Sequence, residues 1–285
     1  MVEVNRLVSP LVREHLGEAE LSYLLSVFER YQGYPSLQQL WQLVDEQWQA
    51  HGCDPLQMDG RVSAFYRHPV WLLNGLFVEQ DPQSLAQRQA FTEWVVQQAP
   101  VRVADFGGGF GSLARFIGAA LPKASVEVVE PHPHPAAIAL AADTPNVRFV
   151  PELTGDYDLL IATDVFEHVP DPIALAASTA SHLRIGGHYL IANCFAPVVQ
   201  CHLPHLFHHA IAWDQAMEAM GLQPMDRVIY GRVFQRIGDL DLNASRRFNQ
   251  FANTVYSLLK PLPIGGKRII GKAIIKLFNF PCLHF

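Results

Sequence analysis

The feature that most constrains the fold is a run of apolar residues that leads into four glycines within five positions, Val101-Arg102-Val103-Ala104-Asp105-Phe106-Gly107-Gly108-Gly109-Phe110-Gly111-Ser112-Leu113-Ala114. The apolar run predicts a buried strand, the glycines a bend, and the residues after them the start of a helix. Glycine lets the backbone come close to a nucleotide-like ligand because it has no Cβ. The pattern departs from the dinucleotide fingerprint G-x-G-x-x-G, since Ser112 stands at its last position and Asp105 is unfavourable beside a phosphate.

Strands and helices alternate after Val101, which predicts a mostly parallel sheet with helices on both faces. The predicted strands are 101–106, 125–130, 147–150, 157–163 and 188–194, with further strand material at 225–236. Four helices are predicted in this region. The first follows Gly111, the second spans 136–142, the third runs from Asp171 to about Arg184, and the fourth spans 214–220. Gly186 and Gly187 are expected to end the third helix. Ligands bind such sheets at the carboxyl ends of the strands, where the candidate site residues lie.

Two motifs carry a family resemblance. One is Asp105-x-Gly107-x-Gly109-x-Gly111, and the other is Thr163-Asp164-Val165-Phe166-Glu167-His168-Val169-Pro170-Asp171-Pro172 after the fourth strand. Over residues 100–236 the chain resembles class I S-adenosylmethionine (SAM)-dependent methyltransferases of the small-molecule and natural-product type. The resemblance implies an α/β fold: a Rossmann-like, doubly wound, mostly parallel seven-stranded sheet with an N-terminal helical lid and a C-terminal helical extension. It also implies SAM as the cofactor.

The resemblance implies roles for individual residues. Cofactor binding is expected from Asp105, Gly107, Gly109, Gly111, Glu130, Asp164 and Val165. Glu130 ends the second strand, 25 residues after Asp105, and would accept hydrogen bonds from both ribose hydroxyls, to which two carboxylate oxygens are well matched. Asp164 and Val165 would lie near the methionine part of SAM, and Phe166 beside the adenine or the acceptor. The region between Asn146 and Leu153 is expected to contact the adenine.

We expect three parts of the chain: a helical lid and substrate region over 1–98, the SAM-binding core over 99–236, and a basic amphipathic extension over 237–285. Helical spacing of leucines and aromatic residues supports the first part. Tyr66 and Trp71 lie in an aromatic-rich segment before the core and are the candidates for contact with the acceptor, since aromatic faces attract a sulfonium ion. Packing among the helices is the alternative explanation for these aromatic residues.

Histidines are concentrated after the fifth strand, at His202, His205, His208 and His209. A histidine accepts a proton near neutral pH, so we expect a general base among His168, His202, His205 and His208. A polar loop with hydrogen-bonded histidines is the competing interpretation. A metal site is the least favoured, because Cys201 is the nearest additional ligand candidate, and no metal is assigned.

Charge is unevenly distributed along the chain. The net charge is −6, but residues 237–285 carry +5, so the remainder carries −11. This acidic core disfavours nucleic acid as a partner. In the extension, Arg268, Lys272 and Lys276 lie opposite apolar residues from Ile269 to Phe278, which predicts a basic amphipathic helix. We favour its packing on the core or on a second subunit, as in a homodimer, over contact with an anionic membrane surface.

The sequence therefore predicts a methyltransferase that acts on a small metabolite or natural-product intermediate by in-line transfer. Scattered cysteines and the lack of an evident signal peptide favour a cytoplasmic location. Three alternatives stay open. The first is attack at another sulfonium carbon, which gives aminocarboxypropyl transfer or cyclisation with release of methylthioadenosine. The others are a non-catalytic SAM-binding subunit and a nicotinamide oxidoreductase.

Overall fold

The computed structural model describes residues 7–259, 262 and 264–277, and a single mixed sheet of seven strands organises this part of the chain. The strand order is β3-β2-β1-β4-β5-β7-β6; β1 to β5 pair in parallel, and β7 is antiparallel to both β5 and β6. The strands are β1 Arg102–Phe106, β2 Ser125–Val129, β3 Val147–Val150, β4 Tyr157–Thr163, β5 Leu183–Ala192, β6 Leu222–Val228 and β7 Gly231–Arg236. The strand order reverses between β1 and β4, which is where doubly wound sheets bind ligands. The predicted fold class is confirmed.

Twelve α-helices occur within the described residues. They are α1 Pro10–Arg13, α2 Glu18–Tyr31, α3 Leu37–Ala50, α4 Gly60–Tyr66, α5 Val70–Val78, α6 Pro82–Gln98, α7 Ser112–Ala120, α8 Pro135–Ala141, α9 Pro172–Ser181, α10 His209–Met220, α11 Leu242–Leu258 and α12 Ile264–Leu277. Local sequence fixes several starting points. Asp81 and Asp171 each accept a hydrogen bond from a backbone amide of the first turn, at 2.8 and 2.9 Å, and a proline follows each of them.

The N-terminal helices pack over one edge of the sheet and share a core with the glycine segment. The apolar side chains of α2 to α5 form a continuous buried cluster that includes Phe110 of the glycine segment, Ala136 and Ala137 of α8, and Cys201. The next helix, α6, belongs to a different cluster and covers the sheet through Phe91, Trp94 and Val95. Residues 7–98 therefore form a helical layer that contacts the candidate site directly.

Several expectations about element boundaries were wrong, and β5 begins at Leu183, five residues before the predicted start at 188. The helix α9 ends at Ser181, and Gly186 and Gly187 belong to β5, where the register shifts opposite β4. Gly186 has a φ of +83°, so its left-handed conformation serves an irregularity in the strand and does not close a helix. The helix α10 starts at His209, five residues before the predicted start at Asp214.

The C-terminal extension continues as two helices on the outer side of α10. Ser245 of α11 is buried, and its hydroxyl donates a hydrogen bond to the Ala216 carbonyl at 2.7 Å. In α12, a Cβ added at Gly271 would lie 2.5 Å from Ile211, so this helix packs closely against α10. The predicted apolar face is only partly right, because Ile269 and Ile270 are exposed. The Phe278 position lies outside the described residues. None of the helices within those residues is long and apolar enough to cross a bilayer.

Candidate active site

The segment from Gly107 to Gly111, hereafter the glycine loop, connects β1 to α7 and has a backbone that glycine is needed to form. Gly107, Gly109 and Gly111 have φ values of +69°, +52° and +71°. Gly108 is restricted by space instead, because a Cβ there would lie 2.6 Å from a carboxylate oxygen of Asp105. At Gly109 a Cβ would meet no protein atom within 4 Å, so this part of the loop borders open space.

Asp105 lies beneath the glycine loop at the end of β1 and is 1% exposed. The Ala114 amide of α7 donates a hydrogen bond to its carboxylate, whereas the buried Oδ1 has no partner. Burial raises the pKa of Asp105 to about 7, and the nearby Arg88 guanidinium opposes this shift. Asp105 therefore supports the loop from below, with one oxygen unsatisfied.

The ends of the neighbouring strands meet the glycine loop. The Gly107 amide donates a hydrogen bond to the Val129 carbonyl at 3.0 Å, which places Glu130, the residue after β2, beside the loop. A Cβ on Gly107 would lie 2.7 Å from Val165, which follows β4. Asp164, between β4 and Val165, has a φ of +54°, and its amide donates to the Ala192 carbonyl of β5. The structure thus brings together all seven residues that were predicted to bind the cofactor.

Three polar residues of this cleft were not predicted. The Tyr230 hydroxyl, in the β6–β7 turn, donates a hydrogen bond to Asp164 at 3.0 Å. Arg88 of α6 lies close enough to Asp105, Asp164 and Tyr230 to interact electrostatically with each of them, and its buried Nε has no partner. Both amide atoms of Asn193, which follows β5, are also buried without partners. No local motif marks these residues, because only the fold brings them to the edge of the sheet.

The helix α5 lies across the glycine loop through residues spaced four apart, which share one face of a helix. Gly75 leaves room for Phe110 of the loop, since a Cβ there would lie 2.7 Å from the ring. Glu79, at the end of α5, accepts short hydrogen bonds from the Ser112 hydroxyl and the Arg115 guanidinium of α7. The serine that replaces the last glycine of a dinucleotide fingerprint therefore ties α7 to the helical layer.

Trp71, one turn before Gly75, belongs to an aromatic wall. Its ring stacks on Tyr66, with centroids 5.1 Å apart and an interplanar angle of 28°. His168 meets both rings edge-on, at 6.3 Å from Tyr66 and 6.4 Å from Trp71. Tyr66 is 37% exposed, so this wall borders accessible space. The role of Tyr66 and Trp71 in contacting the acceptor stays a prediction.

Behind this wall, three polar side chains form a group that is hereafter the Glu167–His168–His202 cluster. A carboxylate oxygen of Glu167 and a ring nitrogen of each histidine all lie within 4.8 Å of one another. The Nδ1 atoms of His168 and His202 lie 3.2 and 2.7 Å from the carbonyl oxygens of Cys201 and Ala196. Since a carbonyl only accepts, each Nδ1 carries the proton, and each Nε2 of a neutral ring keeps a lone pair.

Burial controls the protonation of the Glu167–His168–His202 cluster. It lowers the pKa of His168 to about 3, with a further contribution from His202, and it also lowers the pKa of His202. Glu167 is 1% exposed, and burial raises the pKa of its carboxyl group. The Cys194 amide donates to Oε1 of Glu167 at 2.7 Å, but Oε2 is buried without a partner. The cluster thus has two neutral rings beside one unsatisfied carboxylate oxygen.

The structure separates the remaining candidates from this cluster. His205 is exposed and donates from Nε2 toward the Pro170 carbonyl, at 3.3 Å. Both ring nitrogens of His208 lie within hydrogen-bond distance of an oxygen. Nδ1 is 2.9 Å from the His205 carbonyl oxygen, and Nε2 is 2.6 Å from the side-chain oxygen of Asn249 in α11. His209 is 1% exposed and stacks on His208. These contacts join α10 to its surroundings and leave His168 and His202 as the histidines beside the aromatic wall.

The placement of Phe166 beside the adenine or the acceptor was wrong. Its side chain is fully buried and packs with Tyr189 and Trp213 in the main core, at centroid distances of 6.4 and 5.2 Å. The short 3₁₀ turn Phe166–His168 explains the reversal, because it directs consecutive side chains to different sides. Phe166 therefore supports the site from the core and has no exposed surface for a ligand.

Comparison with known proteins finds similarity to methyltransferases. Trans-aconitate 2-methyltransferase of Deinococcus radiodurans is 27% identical over 157 residues, which cover 50% of this chain and 60% of that protein. The chain thus matches about three-fifths of the length of this curated relative. The crystal structure of Burkholderia thailandensis 1,6-didemethyltoxoflavin-N1-methyltransferase, with bound 1,6-didemethyltoxoflavin and S-adenosylhomocysteine, has a TM-score of 0.44 at 19% identity and covers 58% of this chain and 83% of that one.

An O-methyltransferase from neocarzinostatin biosynthesis, in complex with SAM and 2-hydroxy-5-methyl naphthoic acid, has a TM-score of 0.47 at 18% identity and covers 67% of this chain and 60% of that one. A family model described as a methyltransferase domain matches residues 77–238, more than half of the chain. The match begins in α5 and ends just after β7, so it includes the whole sheet and the glycine loop. The SAM-related ligand in the first of these crystal structures is S-adenosylhomocysteine, and in the second it is SAM. The chain therefore belongs to the methyltransferase domain family.

Proposed function

We propose that this chain transfers the methyl group of SAM to a small-molecule acceptor, which is held between the glycine loop and the Tyr66–Trp71 pair. One observation carries the proposal. The glycine loop, Glu130 and Asp164 lie together at the carboxyl ends of β1, β2 and β4, at the reversal point of the sheet. A phosphate-free nucleoside ligand suits this edge, because carboxylates surround the loop.

Each part of SAM has a partner in this arrangement. Glu130 is accessible and would accept hydrogen bonds from the ribose hydroxyls, since the structure gives its carboxylate one contact, from the His132 amide at 3.2 Å. Arg88, with its unpartnered Nε, provides a counter-charge for the methionine carboxylate. Asp164 supports the amino end, and Gly109 leaves room for the backbone to approach the ligand.

The acceptor would lie against the aromatic wall, with its nucleophilic atom in line with the sulfonium methyl group. The new bond to the methyl carbon forms as the carbon–sulfur bond breaks, and S-adenosylhomocysteine leaves with the electron pair. Positioning supplies most of the rate enhancement in such a reaction. The Glu167–His168–His202 cluster lies beside the wall, where a protonated nucleophile has to lose its proton.

The aromatic wall and the acidic core support the proposed class of acceptor. An aromatic wall formed by two stacked rings fits a small metabolite better than a nucleic acid, and the acidic core opposes a phosphate backbone. The trans-aconitate methyltransferase is also named for a small acceptor. We expect the reaction to take place in the cytoplasm.

Isothermal titration calorimetry tests the proposal at the cofactor step. We expect SAM and S-adenosylhomocysteine to bind one per chain, in competition with each other and without competition from NAD. A folded chain that binds neither ligand would overturn the proposal. Product analysis tests the reaction: S-adenosylhomocysteine supports methyl transfer, whereas methylthioadenosine would indicate attack at another sulfonium carbon.

A further inference from the structure

We infer that the Glu167–His168–His202 cluster binds one divalent cation of the type that takes mixed nitrogen and oxygen ligands, such as Zn²⁺, Mn²⁺ or Co²⁺. Two imidazoles and one carboxylate on one side of an ion, with open positions on the other, form a recurrent set of ligands for these metals. The site would lie next to the acceptor pocket. It is formed by the turn after β4 and the loop after β5.

The hydrogen bonds that hold the three candidate ligands to the backbone support the inference. Metal-binding histidines usually donate the other ring N–H to a carbonyl or carboxylate, which fixes the tautomer and the ring orientation. Both histidines do so here, His168 to the Cys201 carbonyl and His202 to the Ala196 carbonyl. The Cys194 amide holds Oε1 of Glu167 in the same way. Each residue is thus anchored through one polar atom and retains another that can coordinate an ion.

An unsatisfied buried oxygen points independently to a ligand. Oε2 of Glu167 is inaccessible and has no hydrogen-bond partner, although the residue is only 1% exposed. A buried carboxylate oxygen without a partner is costly, and a cation at the neighbouring ring nitrogens would satisfy it. Protonated Glu167 that donates to a histidine is the competing arrangement, and it would leave no affinity for a metal.

The dimensions of the cluster are close to those of an occupied site. Its candidate ligand atoms lie within 4.8 Å of one another. Atoms that are about 2.0–2.2 Å from a shared ion lie roughly 3–4 Å apart. Shifts of the ligand atoms by about 1 Å would therefore bring them to the spacing of an occupied site.

The position of the cation also narrows the acceptor class, a step that rests on the proposed function. His168 contacts Tyr66 and Trp71 edge-on, so the ion would lie next to the proposed acceptor position. An acceptor hydroxyl bound to the ion would release its proton to solvent and attack as the oxyanion. Acceptors with two neighbouring oxygen donors would be favoured, because they chelate the ion.

Metal titration of the full chain tests the inference. After removal of metals with a chelator, Zn²⁺, Mn²⁺ and Co²⁺ are each titrated by calorimetry, and Co²⁺ binding is also followed by its visible absorption. We expect one equivalent of at least one cation to bind, with at least a tenfold loss of affinity in His202→Ala and in Glu167→Gln. The second variant retains the shape of the side chain and its hydrogen bond from Cys194. His205→Ala, in the same loop, is the matched control and should bind as the wild type does.

Two results would overturn the inference: no stoichiometric binding of any of the three cations, or equal affinities in all variants. SAM binding is measured on the same samples, and thermal melts confirm that each variant is folded. A chain that binds SAM but no cation disproves the metal site alone. A chain that binds a cation but no SAM disproves the proposed function and leaves the site intact.

Discussion

The open space above Gly109 gives a sharp test of where the cofactor binds. Gly109→Ala adds a methyl group to a residue with a φ of +52° and no protein atom within 4 Å of the new carbon. Gly186→Ala makes the same change at a φ of +83°, also with no atom within 4 Å. Gly186 lies near the amino end of β5, whereas the candidate site lies at the carboxyl ends of the strands. Both substitutions therefore place an alanine at positive φ, and neither new methyl group lies within 4 Å of another protein atom.

The expected magnitudes differ between stability and binding. A left-handed alanine costs about 1–2 kcal/mol in either position. For a chain of this size, that cost corresponds to a fall in melting temperature of roughly 2–8 °C. If SAM lies against the glycine loop, the methyl group of Gly109→Ala occupies ligand space. We expect at least a tenfold loss of affinity, or about 1.4 kcal/mol, in this variant alone.

Calorimetric titration with SAM and S-adenosylhomocysteine, together with thermal melts without ligand, measures both effects. The reasoning fails if Gly109→Ala binds both ligands as tightly as Gly186→Ala does. It also fails if the Gly109 variant is much less stable than the control, since overlap within the protein would then explain a loss of binding.

Three further predictions concern Glu130 beside the glycine loop, Asp105 beneath it and Phe166 in the core. Glu130→Ala should weaken SAM binding by about 1.5–3 kcal/mol for each ribose hydrogen bond lost; Glu152→Ala, exposed after β3, is the calorimetric control, and equal affinities would refute the ribose assignment. Because the pKa of Asp105 is raised to about 7, its contribution to stability is complete below pH 3.8 and is lost as the pH rises through 7. Over this pH range, the free energy of unfolding of the wild type, measured with denaturant and without ligand, should therefore fall by up to about 4 kcal/mol relative to that of Asp105→Asn. A difference between the two proteins that does not change with pH would contradict the raised pKa. Phe166→Ala should cost about 3–5 kcal/mol of stability; a variant that melts like wild type would show that Phe166 is not part of the core.

Local patterns in the sequence were sufficient for much of the sheet and for the positions of several candidate site residues at its edge. The strands β3 and β4 have the predicted boundaries, since short apolar runs end at polar or turn-forming residues there. The positions of Glu130 and Asp164 follow from the rule that parallel strands end at the same edge. Predictions of this kind depend on neighbours in sequence and on one regular geometry.

Other contacts of the candidate site were harder to predict because they join distant segments of the chain. Tyr230 reaches Asp164 across 66 positions, and nothing near either residue indicates the contact. The histidine-rich segment divides between two environments: His202 remains in the loop, whereas His208 packs against α11. Gly186 was misassigned for a different reason, since a glycine with positive φ serves a helix end and a strand irregularity equally well.

The helix α5 has a consequence for how the binding of one proposed ligand affects the affinity for the other. A single rigid element holds Trp71 in the acceptor wall, Gly75 against the glycine loop and Glu79 on α7. An acceptor that displaces Trp71 therefore also displaces the contacts around the donor. If donor and acceptor bind as proposed, the two binding events would share a coupling free energy, and each ligand would change the affinity of the other by the same factor. Such reciprocity would let the loss of the methyl group from the donor loosen the hold on the product.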